Sequence, residues 1–219
     1  MILVDMNQIS LASVMMHLHM SKSKEPDENT VRHMILNSLR MYRTRFSSEF
    51  GELVLCYDSK HYWRRDYFPQ YKSGRRKSRE NDSKDWDAIF SCLNQIKDEI
   101  KTNLPYKVLE VYGAEADDII GTICAEYSEE IMIISGDKDF IQLQKYPNIK
   151  QYSPITKKSV NGENPGEYLK EHILRGDTSD GIPNVLSPDN TFTDGLRQSP
   201  ITKKKISSWL DHHFDDVAP

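Results

Sequence analysis

The sequence predicts an α/β fold: a mostly parallel central sheet flanked by helices, followed by a helical C-terminal part. Three observations predict it. Short runs that are apolar throughout, among them Ile2–Val4, Leu53–Tyr57 and Ile131–Ile134, alternate with longer segments of helical periodicity. These runs are too short and too uniform to have a solvent face, which is the mark of strands covered on both sides. An acid follows run after run: Asp5, Asp58 and Asp137. In parallel sheets, sites form outside the carboxyl ends of the strands. One sheet edge would therefore bring these three carboxylates together.

Each element has its own signal. Ile2–Asp5 is the first strand. Gln8–Met20 carries apolar residues at helical spacing, and Ser21–Asn29, rich in Ser, Lys and Pro, is a loop. Thr30–Phe46 is a second helix, with Val31, Met34, Ile35, Leu39 and Tyr42 on one face, and Gly51 ends the unit. Leu53–Tyr57 is the second strand. The basic stretch that follows contains Pro69 and Gly74, so it is not one uninterrupted helix. Asp85–Leu104 is a long amphipathic helix and Tyr106–Val111 a third strand. Glu115–Tyr127 is a helix, Glu130–Ser135 a fourth strand, Asp139–Leu143 one helical turn, and Ile149–Tyr152 a fifth strand. Pro165–Leu174 is a further helix that opens after Asn164.

At 219 residues the chain can hold one substantial domain, or one with an appendage. No apolar run approaches the 18 or so residues of a membrane span, and Met1–Asp5 lacks the basic flank of a signal peptide. Cys56, Cys92 and Cys124 lie far apart in apolar surroundings and read as buried free thiols of a reducing compartment. The net charge of −4 hides an asymmetry: Lys60–Arg79 holds eight basic residues against one acid, Asp66. A concentrated basic stretch on an otherwise acidic chain suits a polyanion. Tyr62, Trp63, Tyr67, Phe68 and Tyr71, interleaved there, offer stacking faces to unpaired bases.

The acids carry the chemistry. Glu115, Asp117 and Asp118 open a helix, and Asp137 and Asp139 follow an apolar strand. Acids in a first helical turn commonly answer the helix dipole, and a lone Asp after a strand is commonly a turn residue. So many acids at the edges of buried elements nonetheless repel one another unless cations lie between them. Asp177 and Asp180, in Arg175-Gly-Asp-Thr-Ser-Asp-Gly-Ile-Pro183, add a second group on a tight turn. Nine carboxylates form an all-oxygen donor set, which favours magnesium or manganese over zinc. His17 and His19 sit on a helix and His212 and His213 in a polar tail, so no histidine cluster competes. Two such cations can hold a phosphodiester, one lowering the pKa of a water and the other stabilising the leaving oxygen. No Ser-His-Asp or Cys-His arrangement is apparent.

These motifs, taken together, resemble the 5′-nuclease (flap endonuclease) family, and within it the ribonuclease H type of T-even phages. The resemblance runs from Ile2 to about Asn184. It rests on Ile-Leu-Val-Asp5, Cys-Tyr-Asp58, Tyr-Trp-Arg-Arg-Asp66 with Tyr71-Lys72-Ser-Gly-Arg75, Glu115-Ala-Asp117-Asp118, Ser-Gly-Asp137-Lys-Asp139-Phe and Gly-Asp177-Thr-Ser-Asp180-Gly-Ile. It implies the PIN-like 5′-nuclease fold over residues 1–184, with a basic arch at about 60–84, and a modified or truncated helix-turn-helix for duplex binding over 185–219. It implies a 5′-3′ nuclease acting on DNA, RNA–DNA duplexes and 5′ flaps, as in primer removal, by two-metal-ion catalysis. The cofactor would be two Mg2+ ions, with Mn2+ able to substitute. Asp5, Asp58, Glu115, Asp117 and Asp137 or Asp139 would surround one ion. Asp118, Asp177 and Asp180, with Asp137 or Asp139 shared, would serve the second.

By the same resemblance Lys72 and Arg75 would contact the scissile phosphate and stabilise developing charge. Arg64, Arg65, Tyr71, Arg76, Lys77 and Arg79 would bind nucleic acid along the arch. Lys203, Lys204 and Lys205 would meet duplex phosphates. The Gly-rich turn expected after Gly181-Ile-Pro-Asn-Val is replaced by a polar stretch, Leu186–Pro200. The chain is expected to be shorter than its relatives, either a minimal version or lacking a C-terminal part. Replication proteins such as a single-strand-binding protein or a clamp are expected partners. A monomer in the cytoplasm is expected, the host's if the chain is phage-encoded. The rival readings are a PIN-type ribonuclease, which does not require the basic arch or the Gly-Asp-x-x-Asp-Gly motif, and a non-catalytic DNA-binding module, which would have lost metal acids. A metal-dependent phosphatase would need a second acid where Asn7 stands.

Overall fold

The computed structural model describes residues 1–210. His212, His213 and the end of the 185–219 region lie outside the described residues. In chain order the elements are β1 (Ile2–Asp5), α1 (Met6–Ser21), α2 (Glu28–Phe50), β2 (Leu53–Tyr57), α3 (Arg64–Tyr67), α4 (Ser73–Glu80), α5 (Trp86–Asn103), β3 (Lys107–Glu110), α6 (Ala116–Glu126) and β4 (Ile131–Ile134). A 3-10 helix (Lys138–Lys145), β5 (Ile149–Ser153), β6 (Lys158–Val160), α7 (Pro165–Arg175) and α8 (Lys203–Leu210) follow. The described residues fall into two compact units: residues 1–62 with 83–161, and residues 63–82 with 162–210.

The first unit holds a six-stranded sheet of order β3-β2-β1-β4-β5-β6. Every pairing from β3 to β5 is parallel, and β6 runs antiparallel at the edge. The chain builds outward from β1 to β2 and β3, then returns to the other side of β1 with β4. The order therefore reverses between β1 and β4, the kind of switch point at which open α/β sheets bind ligands. The central strands are buried on both faces. Ile2, Val4, Met132 and Ile134 face a core made by α1, α2 and α5 through Val14, Ile35, Leu39, Ile89 and Ile96. Leu3, Ile131 and Ile133 face the opposite core, made by Ile119 and Ile120 of α6 and Phe140 of the 3-10 helix. This two-sided burial explains why the strands are apolar at every position.

Helix starts follow side-chain chemistry. Asp27 accepts from the Thr30 N–H at 2.8 Å and Asp85 from the Ala88 N–H at 2.9 Å, satisfying donors left over in the first turns of α2 and α5. β6 has no counterpart among the strands expected from the sequence, and the 3-10 helix, expected as one turn, runs for eight residues.

In the second unit α7 opens at Asn164, whose Oδ1 accepts from the Glu167 N–H at 3.1 Å, with Pro165 at the first helical position. The Gly-Asp-Thr-Ser-Asp-Gly turn follows. Asp177 and Ile182 exchange two backbone hydrogen bonds of 2.8 Å. Gly176 (φ 65°) is required there: a Cβ would lie 2.4 Å from the carbonyl oxygens of Ile182 and Pro183. Leu174 of α7 and Ile206 of α8 are the buried residues of their helices. The basic segment forms two short helices, α3 and α4, broken before Lys72, whose φ is 56°.

Candidate metal centre and basic clamp

Asp5, Asp58 and Asp137 meet at the carboxyl ends of three adjacent strands, β2, β1 and β4. Asp5 pairs in register with Cys56, two residues before Asp58. Asp5 is 7% exposed and caps α1, accepting from the Gln8 N–H at 3.1 Å. The Ser135 hydroxyl donates to its other oxygen at 2.9 Å and accepts from the Asp137 N–H at 3.1 Å, so one buried hydroxyl ties the ends of β1 and β4 together. Burial pushes the Asp5 carboxyl up to about 6, with Asp58 and Asp137 raising it further and the Gln8 and Ser135 hydrogen bonds opposing.

The start of α6 joins the same edge. Asp58 accepts from the Ala116 N–H at 2.7 Å, and the Asp118 carboxylate accepts from the Glu115 N–H at 2.9 Å. Glu115 is 1% exposed, an unusual place for a carboxylate. Asp117 lies in the first turn of α6, half-buried beside Asp118. Asp139 opens the 3-10 helix, its N–H donating to Asp137 Oδ1 at 2.9 Å. Seven of the nine candidate acids lie in this unit, and they stand on one edge of the sheet, at or just beyond the ends of β1, β2 and β4 and the start of α6.

Three supporting residues escaped the sequence reading. Gln8 holds the Gly136 N–H at 2.6 Å through Oε1. Gln151, on β5, donates to the carbonyls of Ser135 and Asp137 at 3.0 and 2.6 Å. Ser135 is the hydroxyl described above. The signals were present in Asp5-x-x-Gln8, a helix start, and in Ser135-Gly-Asp137, but the use of each side chain depends on strand order.

In the second unit the remaining acids divide. Asp177 Oδ1 accepts from the Ser179 N–H and hydroxyl, both at 2.7 Å, and from the Asp180 N–H at 3.3 Å. Partial burial pushes its pKa up, but these hydrogen bonds and nearby His172 outweigh that and leave it lowered. Asp180 is the centre of a clamp. Its carboxylate takes Arg75 Nη2 at 2.5 Å, the Tyr71 hydroxyl at 3.0 Å and Lys72 Nζ at 3.5 Å, while its carbonyl accepts the Lys72 N–H at 2.7 Å. Lys72 and Arg75, expected at a phosphate, and Asp180, expected at a metal, thus lie within contact of one another. Arg64 stacks over Trp63, 4.8 Å from the ring centroid. Arg76 pairs with Glu80 on α4. Lys77 and Arg79 are on α4, Arg65 is on α3, and Lys203, Lys204 and Lys205 form the exposed start of α8.

Residues 1–172 match the family described as 5′-3′ exonuclease, N-terminal resolvase-like domain. The ribonuclease H of Enterobacteria phage T4 is 36% identical over 201 residues, covering 87% of this chain and 65% of that protein. A 5′-3′ exonuclease of Buchnera aphidicola is 29% identical over 196 residues, covering 84% and 64%. The chain therefore spans a little under two thirds of the length of these relatives. Among solved structures, a bacteriophage T5 flap endonuclease in complex with DNA and metal ions superposes with a TM-score of 0.65 at 17% identity, covering 94% of this chain and 82% of that one. A zinc-bound T5 5′-exonuclease gives 0.65 at 15%, covering 96% and 83%. The shared fold is thus a mostly parallel α/β sheet flanked by helices, and the chain belongs to the 5′-3′ exonuclease family through its N-terminal resolvase-like domain.

Proposed function

We propose that the chain is a divalent-metal-dependent 5′-3′ nuclease that hydrolyses phosphodiester bonds of DNA, RNA–DNA duplexes and 5′ flaps, as in primer removal during phage-type replication. The observation that carries this reading is the convergence of Asp5, Asp58 and Asp137 on adjacent strand ends, with Asp5 buried and pushed up to about 6 by burial and by the other two acids. Buried like charges of this kind suit a site built for a hard cation, and the donors are oxygens throughout. Asp5, Asp58, Glu115, Asp117 and Asp137 or Asp139 are the proposed ligands of one ion, Mg2+ by preference. From the family resemblance, Asp118, Asp177 and Asp180 are proposed for a second. Divalent cations supply a water of lowered pKa and offset charge on the phosphodiester oxygens.

The chain's own groups do the rest. Gln8, Ser135 and Gln151 fix where the acids point. Lys72 and Arg75 are the proposed partners of the scissile phosphate; the Asp180 carboxylate holds both, and a phosphate would take its place. The basic stretch Lys60–Arg79 draws in the polyanion. On this reading the working form is a monomer in the cytoplasm, and a single-strand-binding protein or a clamp is the expected kind of partner.

Purified protein with magnesium should release short products from the 5′ end of a labelled flap and of an RNA–DNA duplex, and chelator should stop it. Asp137→Asn should abolish most turnover while the circular dichroism spectrum is unchanged. Full rate in that variant would sink the metal assignment.

A further inference from the structure

The stretch from Leu186 to Pro200, which the family resemblance leaves without a role, is built rather than slack. Asn184, 4% exposed, anchors it. The Asn184 N–H donates to Gln198 Oε1 at 2.6 Å, and its side-chain amide donates to the Ser199 carbonyl at 2.9 Å. Its Oδ1 accepts from the Leu186 N–H and the Ser187 hydroxyl. Thr191, 1% exposed, donates both its N–H and its hydroxyl to the Pro188 carbonyl. The backbone of Asp189 lies inside that closed turn, and its side chain is exposed.

Within the same unit Asp189 of this loop, Ile182 and Pro183 just before it and the basic segment line an open cleft of about 310 Å³. Trp63, Tyr67, Phe68 and Tyr71 line it, with Arg64 and Asp189 as its charged lining groups. Trp63 and Tyr67 meet edge to face at 5.7 Å and are 45% and 83% exposed. Such a concentration of uncovered aromatic surface marks a ligand site. The volume sits at the bottom of the range of small-ligand pockets, about 300–1,000 Å³, which suits one ring system and not a duplex. The surrounding basic stretch selects a polyanion, and the planar apolar group that a polyanion carries is a nucleobase. Asp189 is an acceptor-only carboxylate. Guanine alone among the four common DNA bases presents two adjacent donors, N1–H and the 2-amino group, to such an acceptor.

We propose that this cleft binds one unpaired nucleobase of single-stranded nucleic acid, stacked on one of the Trp63 and Tyr67 rings and bounded by the edge of the other, and that Asp189 favours guanine there. The proposal rests on the reading of the chain as a nuclease that meets single-stranded 5′ ends.

The test is equilibrium binding in chelator, which prevents hydrolysis, followed by fluorescence anisotropy. The probes are a labelled run of eight thymidines and the same run with one dG or one inosine, which lacks the 2-amino group. The unaltered protein should bind the dG probe roughly tenfold more tightly than the all-thymidine probe, with inosine between. Asp189→Ala should remove that preference without weakening binding of the thymidine run. Trp63→Ala and Tyr67→Ala should each weaken all probes by roughly tenfold. Equal affinity for dG, inosine and thymidine probes in the unaltered protein, or undiminished binding by both aromatic variants, would overturn the cleft proposal and leave hydrolysis standing. Failure of the unaltered protein to bind any probe, both in chelator and with calcium in place of magnesium, would overturn the nuclease reading as well.

Discussion

Asp5 shows how one residue can serve function at the expense of stability. Its carboxyl is pushed from the ordinary 3.8 up to about 6 in the folded chain, chiefly by burial. The folded state therefore holds the proton more tightly than the unfolded state, and the benefit is present below about pH 4 and lost as pH rises through 6. At pH 7 without metal the ionised group costs up to ~3 kcal/mol, since each tenfold gain in proton affinity on folding is worth about 1.4 kcal/mol. Asp5→Asn should thus raise metal-free stability at pH 7, and the gain should vanish near pH 4. Urea unfolding in chelator at the two pH values reads this directly, and an equal gain at both would remove burial as the cause. Magnesium should stabilise the unaltered chain and leave the variant nearly unmoved, because ligand-linked stability needs the ligating carboxylate.

At the scale of elements, legibility followed burial. β1, β2 and β4 could be read because two-sided burial makes every residue apolar, and their ends could be read because an acid stands beyond each. β6 could not: Lys158-Ser-Val is short, mostly exposed and lies at a sheet edge, where the pattern of a buried strand is absent. The roles of Ser135 and Gln151 were hidden for a different reason, since a hydroxyl and an amide gain meaning only once β4 lies between β1 and β5. The clamp between α4 and the turn after α7 was beyond sequence reasoning, because Arg75 and Asp180 are 105 residues apart. It fixes a strained element. Lys72 sits at φ 56°, a conformation that costs a non-glycine residue about 1 kcal/mol, and both its backbone N–H and its ammonium are held by Asp180. Asp180→Asn keeps the backbone bond and removes the charge. Arg75 is half-exposed, so the loss should be modest, ~1–2 kcal/mol. Trypsin should then cut after Arg75, Arg76, Lys77 and Arg79 faster than in the unaltered chain. Unchanged cutting and an unchanged melting temperature would make the clamp incidental.

For the molecule as a whole, the sign of its net charge misleads. The chain is at −4, yet Lys60–Arg79 carries eight cations and one acid. Its acids are gathered in part at the sheet edge, where bound cations would neutralise them. Long-range repulsion of a polyanion by the acidic remainder is screened over about 8 Å at physiological ionic strength, so local attraction governs contact. Nucleic-acid affinity should therefore behave as that of a basic protein. If four or five phosphates are engaged by the basic stretch, log affinity for a single strand should fall with log salt at a slope of about −3 in chelator. Replacing Arg76, Lys77 and Arg79 together by Gln should flatten the slope by about two units while leaving the first unit's sheet untouched, which its far-ultraviolet spectrum and melting curve would verify. Divalent cation should raise affinity at fixed ionic strength, because filling the acid edge removes the short-range repulsion of a phosphate placed there. A slope near zero, or one that the triple substitution does not change, would place binding elsewhere on the molecule and detach the basic stretch from substrate capture.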